Sequence, residues 1–260
     1  DIEQGVAVSI FVKKPGIERG VWRGDLWGKR ITKYRELSEL GLAATNLPLE
    51  PQTPFYLFSA DGSNVPEEYA NAFGLKHMFA TDVAGVISAR DDFGIGFCHR
   101  DLVQRIEAFV EQKSDDDAAR MFGLTSSRGW SVQSARARLS ETPPWRASLR
   151  PILYRPFDSG IIAHDPRVID WGRWPVFDRL PQNSLSLVCV RQVAETDFNH
   201  VLVTDALADN RLTRSAKGTC YQFPLVLTAD GAASENLSPA FRDFLDARYG
   251  EHYDPEQVLG

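Results

Sequence analysis

An α+β fold, with mixed, mainly antiparallel sheets and a helical insert, is what this sequence predicts. Three observations carry that expectation. β-Branched and aromatic runs bounded by turn residues occupy both the opening of the chain and the stretch from Ile152 onward, the signature of strands. Between them apolar residues recur at helical spacing, as in Leu102, Ile106, Phe109 and Val110, one stripe of a helix. The 260 residues are 43% hydrophobic and include six Trp, seven Tyr and fifteen Phe, enough bulky apolar material for a substantial core.

Element by element, residues 6–12 read as a strand ended by Lys14-Pro15-Gly16, which is turn chemistry. Residues 21–28 read as a second strand running into a turn, and 31–40 as a helix stopped by Gly41, a usual helix-closing residue. A short strand at 55–58 and a short helix at 66–73 follow. Asp101 is the expected cap of the clearest helix, because a short polar side chain there accepts a free backbone N–H. Further helices are expected at 115–122 and 131–140. Strands are expected at 152–155, 161–163, 185–190, 201–203 and 221–227, then a helix at 239–249. The chain opens without Met inside a strand-like run and stops just after Asp254-Pro255-Glu256, a helix-opening pattern, so it reads as a piece of a longer polypeptide.

Several chemistries find no motif. No Walker phosphate loop, no Gly-x-Gly-x-x-Gly and no Gly-x-Ser-x-Gly occurs, so nothing in the sequence cradles a nucleotide's phosphates or presents a serine nucleophile. Cys98, Cys189 and Cys220 stand apart with no Cys-x-x-Cys pair, which argues against a zinc ribbon and suits a reducing cytoplasm. Cys189, in an apolar run, is expected to be buried. No signal peptide or membrane-length apolar run is present. His164-Asp165 has the residue types of an acid–base pair, but a turn before Pro166 is the expected reading. Thr142-Pro143-Pro144-Trp145 is similar to the Pro-Pro-aromatic tetrapeptide of amino-methyltransferases, but its first residue is Thr and no cofactor loop precedes it. A helix stop at Glu141 followed by a rigid loop is the expected reading.

The formal net charge is -6, which excludes a uniformly basic nucleic-acid binder. The charge is nevertheless uneven. Lys13, Lys14, Arg19, Arg23, Lys29, Arg30, Lys33 and Arg35 face only Glu18 and Asp25 within 13–35. A basic surface survives on an acidic protein because salt screens fields beyond about 8 Å.

Several segments in one order resemble a known family. They are the opening run 2–13, Asp25-Leu26-Trp27-Gly28 with Lys33-Tyr34, and Gly85-Val86-Ile87-Ser88-Ala89-Arg90-Asp91-Asp92-Phe93. Tyr154-Arg155-Pro156-Phe157-Asp158, Arg191-Gln192, and Phe223-Pro224-Leu225 followed by Glu235-Asn236-Leu237 continue the series. Together they resemble the C-terminal region of single-polypeptide type I (type ISP) restriction–modification enzymes. The resemblance implies that residues 1–84 are the end of a methyltransferase-like region and a connector, and that 85–260 are a target-recognition domain. It implies double-stranded DNA and the methyltransferase domain of the same polypeptide as partners, in the cytoplasm. The chain itself would be non-catalytic and hold no cofactor. S-adenosylmethionine, ATP and Mg are expected for the parent, an adenine N6-methyltransferase joined to an endonuclease.

On that reading the cations that contact phosphates are Lys13, Lys14, Arg23, Lys29 and Arg30. Base readers are expected among Arg90, Arg155, Arg167, Arg173, Arg191 and Gln192, at strand ends and turns, since Arg pairs bidentately with guanine and Gln with adenine. For Arg90 beside Asp91, and Arg155 near Asp158, a fold-fixing pair is the favoured reading. Loops 164–179 and 205–217 are the expected sites of sequence reading, the second carrying Asn210, Arg211, Arg214 and Lys217. The alternative is a structural or protein-interaction module coupling the methyltransferase to other domains, which the acidic charge favours. A third reading is an independent enzyme built on His164 and Asp165.

Overall fold

The computed structural model describes residues 7–41, 47–51, 56, 58, 66–127, 129–141, 143–192, 200–213 and 218–259. The chain divides into two compact units, residues 1–72 and 73–260.

In the first unit, β1 (Val21–Arg23) lies antiparallel to β2 (Leu47–Leu49), with Trp22 opposite Pro48. Between them runs α1 (Arg30–Leu40), closed by Gly41 at a φ of 53° as its spacing predicts. A four-residue helix, α2 (Glu67–Ala70), follows. Residues 7–12, read from sequence as a strand, form none and are exposed, Phe11 at 88%. Among the described residues no neighbouring strand is there to take their N–H and C=O groups, and a β-branched run without a partner has nothing to hold it extended in a sheet. The strand expected at 55–58 lies mostly outside the described residues.

The second unit begins with α3 (Leu75–Met78), β3 (Val83–Ala84), α4 (Asp91–Gly94) and β4 (Ile95–Gly96). The helical insert is α5 (His99–Val110), α6 (Asp115–Met121) and α7 (Val132–Glu141), followed by a 3-10 turn at Pro143–Ser148. Then come β5 (Leu149–Arg155), β6 (Asp158–Ala163), α8 (Trp174–Phe177), β7 (Ser186–Val190), β8 (Val201–Thr204), β9 (Leu207–Ala208) and β10 (Cys220–Pro224). A hairpin of β11 (Val226–Ala229) and β12 (Ala232–Glu235) and the helices α9 (Pro239–Tyr249) and α10 (Pro255–Leu259) complete it.

α5 starts earlier than its sequence suggests. Cys98 is the capping position and Asp101 falls in the first turn, where a carboxylate still meets the positive end of the helix dipole. Ser114 caps α6 by accepting the Asp117 N–H at 3.1 Å. The three helices bury Leu102, Ile106, Phe109, Ala118, Val132, Ala135 and Leu139 in one apolar cluster with Ile152 and Ile162 of the sheet β4-β6-β5-β9. Within it Phe93 meets Phe109 edge-on at 4.7 Å, worth about 1 kcal/mol beyond its area.

That sheet is antiparallel except for β9, which runs parallel to β5 with Leu153 beside Ala208. A second sheet, β3-β10-β7-β8, is antiparallel throughout. A small core of Leu153, Val188, Ala208, Leu212 and Cys220 draws on both sheets. Burial pushes the Cys220 thiol up to about 12. Cys189, expected to be buried, is half-buried because its register on β7 alternates with the buried Val188 and Val190.

The strand expected at 221–227 is two strands. Pro224 has no N–H for a ladder, and Leu225 turns away to bond Leu185 O at 3.0 Å while its own carbonyl accepts the Asn236 N–H at 2.8 Å. The hairpin that follows closes on Asp230-Gly231 with φ of 52° and 81°, both positive as a type I′ turn requires.

The two larger sheets are joined by residues 83–88. Gly85 N donates to Cys220 O at 2.9 Å and Val86 N to Ala208 O at 2.8 Å, while Asn210 N returns to Val86 O at 2.9 Å. Ile87 and Trp171 exchange two bonds at 3.1 and 3.0 Å. A Cβ at position 85 would stand 2.6 Å from the backbone of Asn210, so only glycine lets this chain segment cross so closely.

Candidate nucleic-acid interface

Strand directions bring several loops to one end of the second unit. β5 runs toward its turn at Pro156-Phe157, and β9 beside it runs the same way into residues 209–213. β7 ends at Val190 opposite Cys220, and Cys220 N bonds Asn210 O at 3.0 Å. β3 leaves at the same end through Gly85. The rim therefore gathers 85–91, 155–158, 170–173, 190–192 and 209–213.

The rim is fixed from beneath by charged groups. Asp209, buried, accepts from Arg155 Nη1 at 3.0 Å and from the Arg211 N–H at 2.9 Å. Burial raises its pKa, and the Arg211 N–H and the Arg155 guanidinium pull it back down. Arg155 also lies over the Tyr154 ring, 3.8 Å from its centroid. Tyr154 donates its hydroxyl to Asp91 at 2.9 Å, and its pKa is raised by burial and by that carboxylate. Asp91 in turn accepts the Ser88 hydroxyl.

These contacts sort the cations expected to touch DNA. Arg90 is held by Asp170, by Val168 O at 3.1 Å and by the face of Trp130. Arg167 is buried and grips Asp165 with two nitrogens, at 2.7 and 2.5 Å, while Trp130 donates to its carbonyl at 2.8 Å. Arg173 occupies a left-handed position and its Nε reaches Gly85 O at 3.4 Å. Arg23 makes a two-pronged pair with Asp25 at 2.8 Å. By contrast Arg191, Gln192 and Arg211 are exposed on the rim, and neither arginine has an ion-pair partner among the described residues. Lys13, Lys14, Lys29 and Arg30 are exposed in the first unit, Arg30 lying 5.9 Å from the Tyr34 ring centroid. Arg214 and Lys217 lie outside the described residues.

The other chemical candidates separate. His164 is buried, with Nε2 2.6 Å from Gly172 O and its ring against Trp174, whereas Asp165 is engaged by Arg167. Burial lowers the His164 pKa, the Gly172 carbonyl raises it, and the Arg150 guanidinium lowers it further. Trp145 of the Thr-Pro-Pro-Trp stretch is 4% exposed and sits in the main core, so its ring is not free to stack on a base.

Two rim residues carry no functional expectation from sequence. Asp209 carries the anchoring of Arg155, and no local spacing announces a partner that far along the chain. Phe157 is 93% exposed with a φ of 62°. Its signal was present, since Pro156-Phe157 forms a two-residue connection with Arg155 opposite Asp158.

A family model described as the Type ISP C-terminal specificity domain matches residues 77–260. Among solved structures, the cryoEM structure of a DrdV–DNA complex is similar at a TM-score of 0.54 and 17% identity, covering 88% of this chain and 24% of that one. The ATP-dependent Type ISP restriction–modification enzyme LlaBIII bound to DNA is similar at 0.53 and 14%, covering 83% and 15%. At these identities the likeness is one of fold, and this chain spans a quarter or less of either. No curated protein matches the chain.

Proposed function

The chain belongs to the Type ISP C-terminal specificity domain family through residues 77–260, and from that premise we propose that it reads a duplex DNA sequence with the rim of its second unit. The observation that carries this reading is the division of labour among the polar side chains expected to touch DNA. Arg90, Arg155 and Arg167 are engaged by Asp170, Asp209 and Asp165, while Arg191, Gln192 and Arg211 are left facing solvent. An arginine free of carboxylates is available to phosphate or to the O6/N7 edge of guanine, and a free glutamine to adenine. Lys13, Lys14, Lys29 and Arg30 supply phosphate contacts from the first unit, and loop 205–217 contributes Arg214 and Lys217.

The chain does no chemistry by itself on this reading. Methylation of adenine, with S-adenosylmethionine, and ATP- and Mg-dependent cleavage belong to the parent polypeptide, a cytoplasmic restriction–modification enzyme. The cryoEM and LlaBIII complexes support DNA as the partner by analogy of fold.

A second reading, a docking module for the methyltransferase domain of the same polypeptide, is favoured by the first unit. Its helix α1 buries none of its residues, and Trp27 is 81% exposed.

The test is duplex binding by the full-length protein across a salt series, using DNA that carries its mapped modification site. Arg191→Ala and Arg211→Ala should each weaken binding, and each arginine that neutralises a phosphate should lower the salt slope by about 1 when removed. Unchanged affinity and unchanged site choice in the double variant would overturn the reading.

A further inference from the structure

Phe157 is the most exposed large apolar side chain among the described residues, at 93%. Packing does not account for it. Backbone preference does not either, because its φ of 62° lies in the left-handed region that glycine and asparagine favour and bulky residues avoid. A phenylalanine that neither fills a core nor suits its turn is explained by what it meets from outside.

Its mounting is stiff. The turn stands on Arg155, which is clamped between the Tyr154 ring at 3.8 Å and Asp209 at 3.0 Å, and Tyr154 is tied to Asp91 at 2.9 Å. Its surroundings are those of the rim. Asp209 binds the backbone of Arg211, so the exposed ring and an exposed cation share one anchoring carboxylate. Pro156, Asp158 and Ser159 around it are exposed. The ring stands beside a proline and polar groups, with the exposed Phe97 edge-on to Tyr154 at 5.8 Å, which is a small apolar feature and not the broad contiguous patch of a protein interface. It does suit a base step, where Phe and Pro side chains act as wedges that part the stack.

We propose that Phe157 is an apolar wedge that contacts unstacked bases of the duplex bound at the rim. This rests on the DNA-reading function proposed above.

The experiment compares Phe157→Ala, Phe157→Gly and Phe157→Trp in the full-length protein, with Arg191→Ala and Arg211→Ala alongside. Phe157→Ala and Phe157→Gly should each bind duplex about tenfold more weakly, the scale of one base–aromatic stack. The salt slope should stay as in the parent, because phenylalanine neutralises no phosphate. Phe157→Trp should bind within about threefold of the parent, since a larger ring still stacks. Phe157→Gly should melt at or above the parent temperature, which separates lost binding from lost folding. In a duplex scanned with 2-aminopurine, one position should brighten with the parent and stay dark with Phe157→Ala. Phe157→Ala and Phe157→Gly variants that bind like the parent, or that brighten the same position, overturn the wedge. If they do so while the arginine variants lose affinity, DNA reading stands and the wedge alone falls. If the parent binds no duplex, both fall.

Discussion

Arg90 lies face-on over Trp130, its guanidinium carbon 3.9 Å from the indole centroid. Trp130 in turn gives its Nε1–H to the carbonyl of Arg167 at 2.8 Å, so one indole supports the backbone of one arginine and the charge of another. The helical insert is thereby locked to the rim loop that contains Asp170. A guanidinium over the ring and paired with Asp170 at once is an arrangement that lysine does not reproduce.

Arg90→Ala should therefore destabilise the second unit by about 2–3 kcal/mol, from a missing cation–π pair and a stranded carboxylate. Arg90→Lys should recover less than half of that. Urea denaturation of the two variants measures it, and a neutral Arg90→Ala would show that the clasp contributes nothing.

Arg211→Ala is expected to behave in the opposite way. The side chain is exposed and has no ion-pair partner among the described residues, so its removal should change stability by no more than about 0.5 kcal/mol. Duplex affinity should fall and the salt slope should drop by about 1. Thermal melts and anisotropy titrations on one preparation separate the two effects.

Gly85→Ala should be among the costly single-methyl additions. The new Cβ would meet the backbone of Asn210 at 2.6 Å and of Asp209 at 2.7 Å, and a main chain fixed by ladder bonds cannot step aside as a side chain can. A destabilisation of about 1–3 kcal/mol is expected for such overpacking. An unchanged melting temperature would mean that residues 83–88 do not tie the sheets together in solution.

Stability should fall as pH drops through and below the ordinary histidine range. His164 has its pKa lowered from 6.5, by burial first and by Arg150 as well, with Gly172, Asp178 and Asp165 opposing. The unfolded chain therefore takes up this proton first as pH drops, and stability present above 6.5 is lost from there down to the folded-state pKa. The loss amounts to about 1.4 kcal/mol for each unit separating the two values. His164→Gln should flatten the fall between about pH 7.5 and 5. Parallel pH profiles in parent and variant would exclude His164 as its source.

What could be read from the sequence follows from the range of the interactions involved. The insert helices were legible because Leu102, Ile106 and Phe109 repeat at a spacing that is itself the fold. The long antiparallel strands and helix α9, with Ser238 capping its start, were legible for the same local reason. β9 was not, because two residues running parallel to β5 acquire their strand character from the neighbour. The Asp230-Gly231 dipeptide is itself a hairpin signal, but β12, Ala-Ala-Ser-Glu, carries no β-branched residue to mark it as the second strand.

The candidate interface was legible as a set of loops and less so as a set of side chains. Sequence placed Arg90, Arg155 and Arg167 at turns, where base readers also belong. Asp170 and Asp209, which claim the first two, lie 80 and 54 residues away, and no local pattern joins them. Arg167 and Asp165 are only two residues apart, but whether such neighbours bond each other or face solvent is decided by burial, which a sequence states only on average.

The Ser238 hydroxyl donates to the carbonyl of His77 at 2.6 Å, across 161 residues, and Asn236 holds Thr81 in the same way at 2.8 Å. A ribosome adding about 5–20 residues each second needs about 10–30 s to travel that far. During that interval the first strands of the unit wait without their fastener, and a nascent chain released before it emerges would present an open sheet edge to chaperones and proteases.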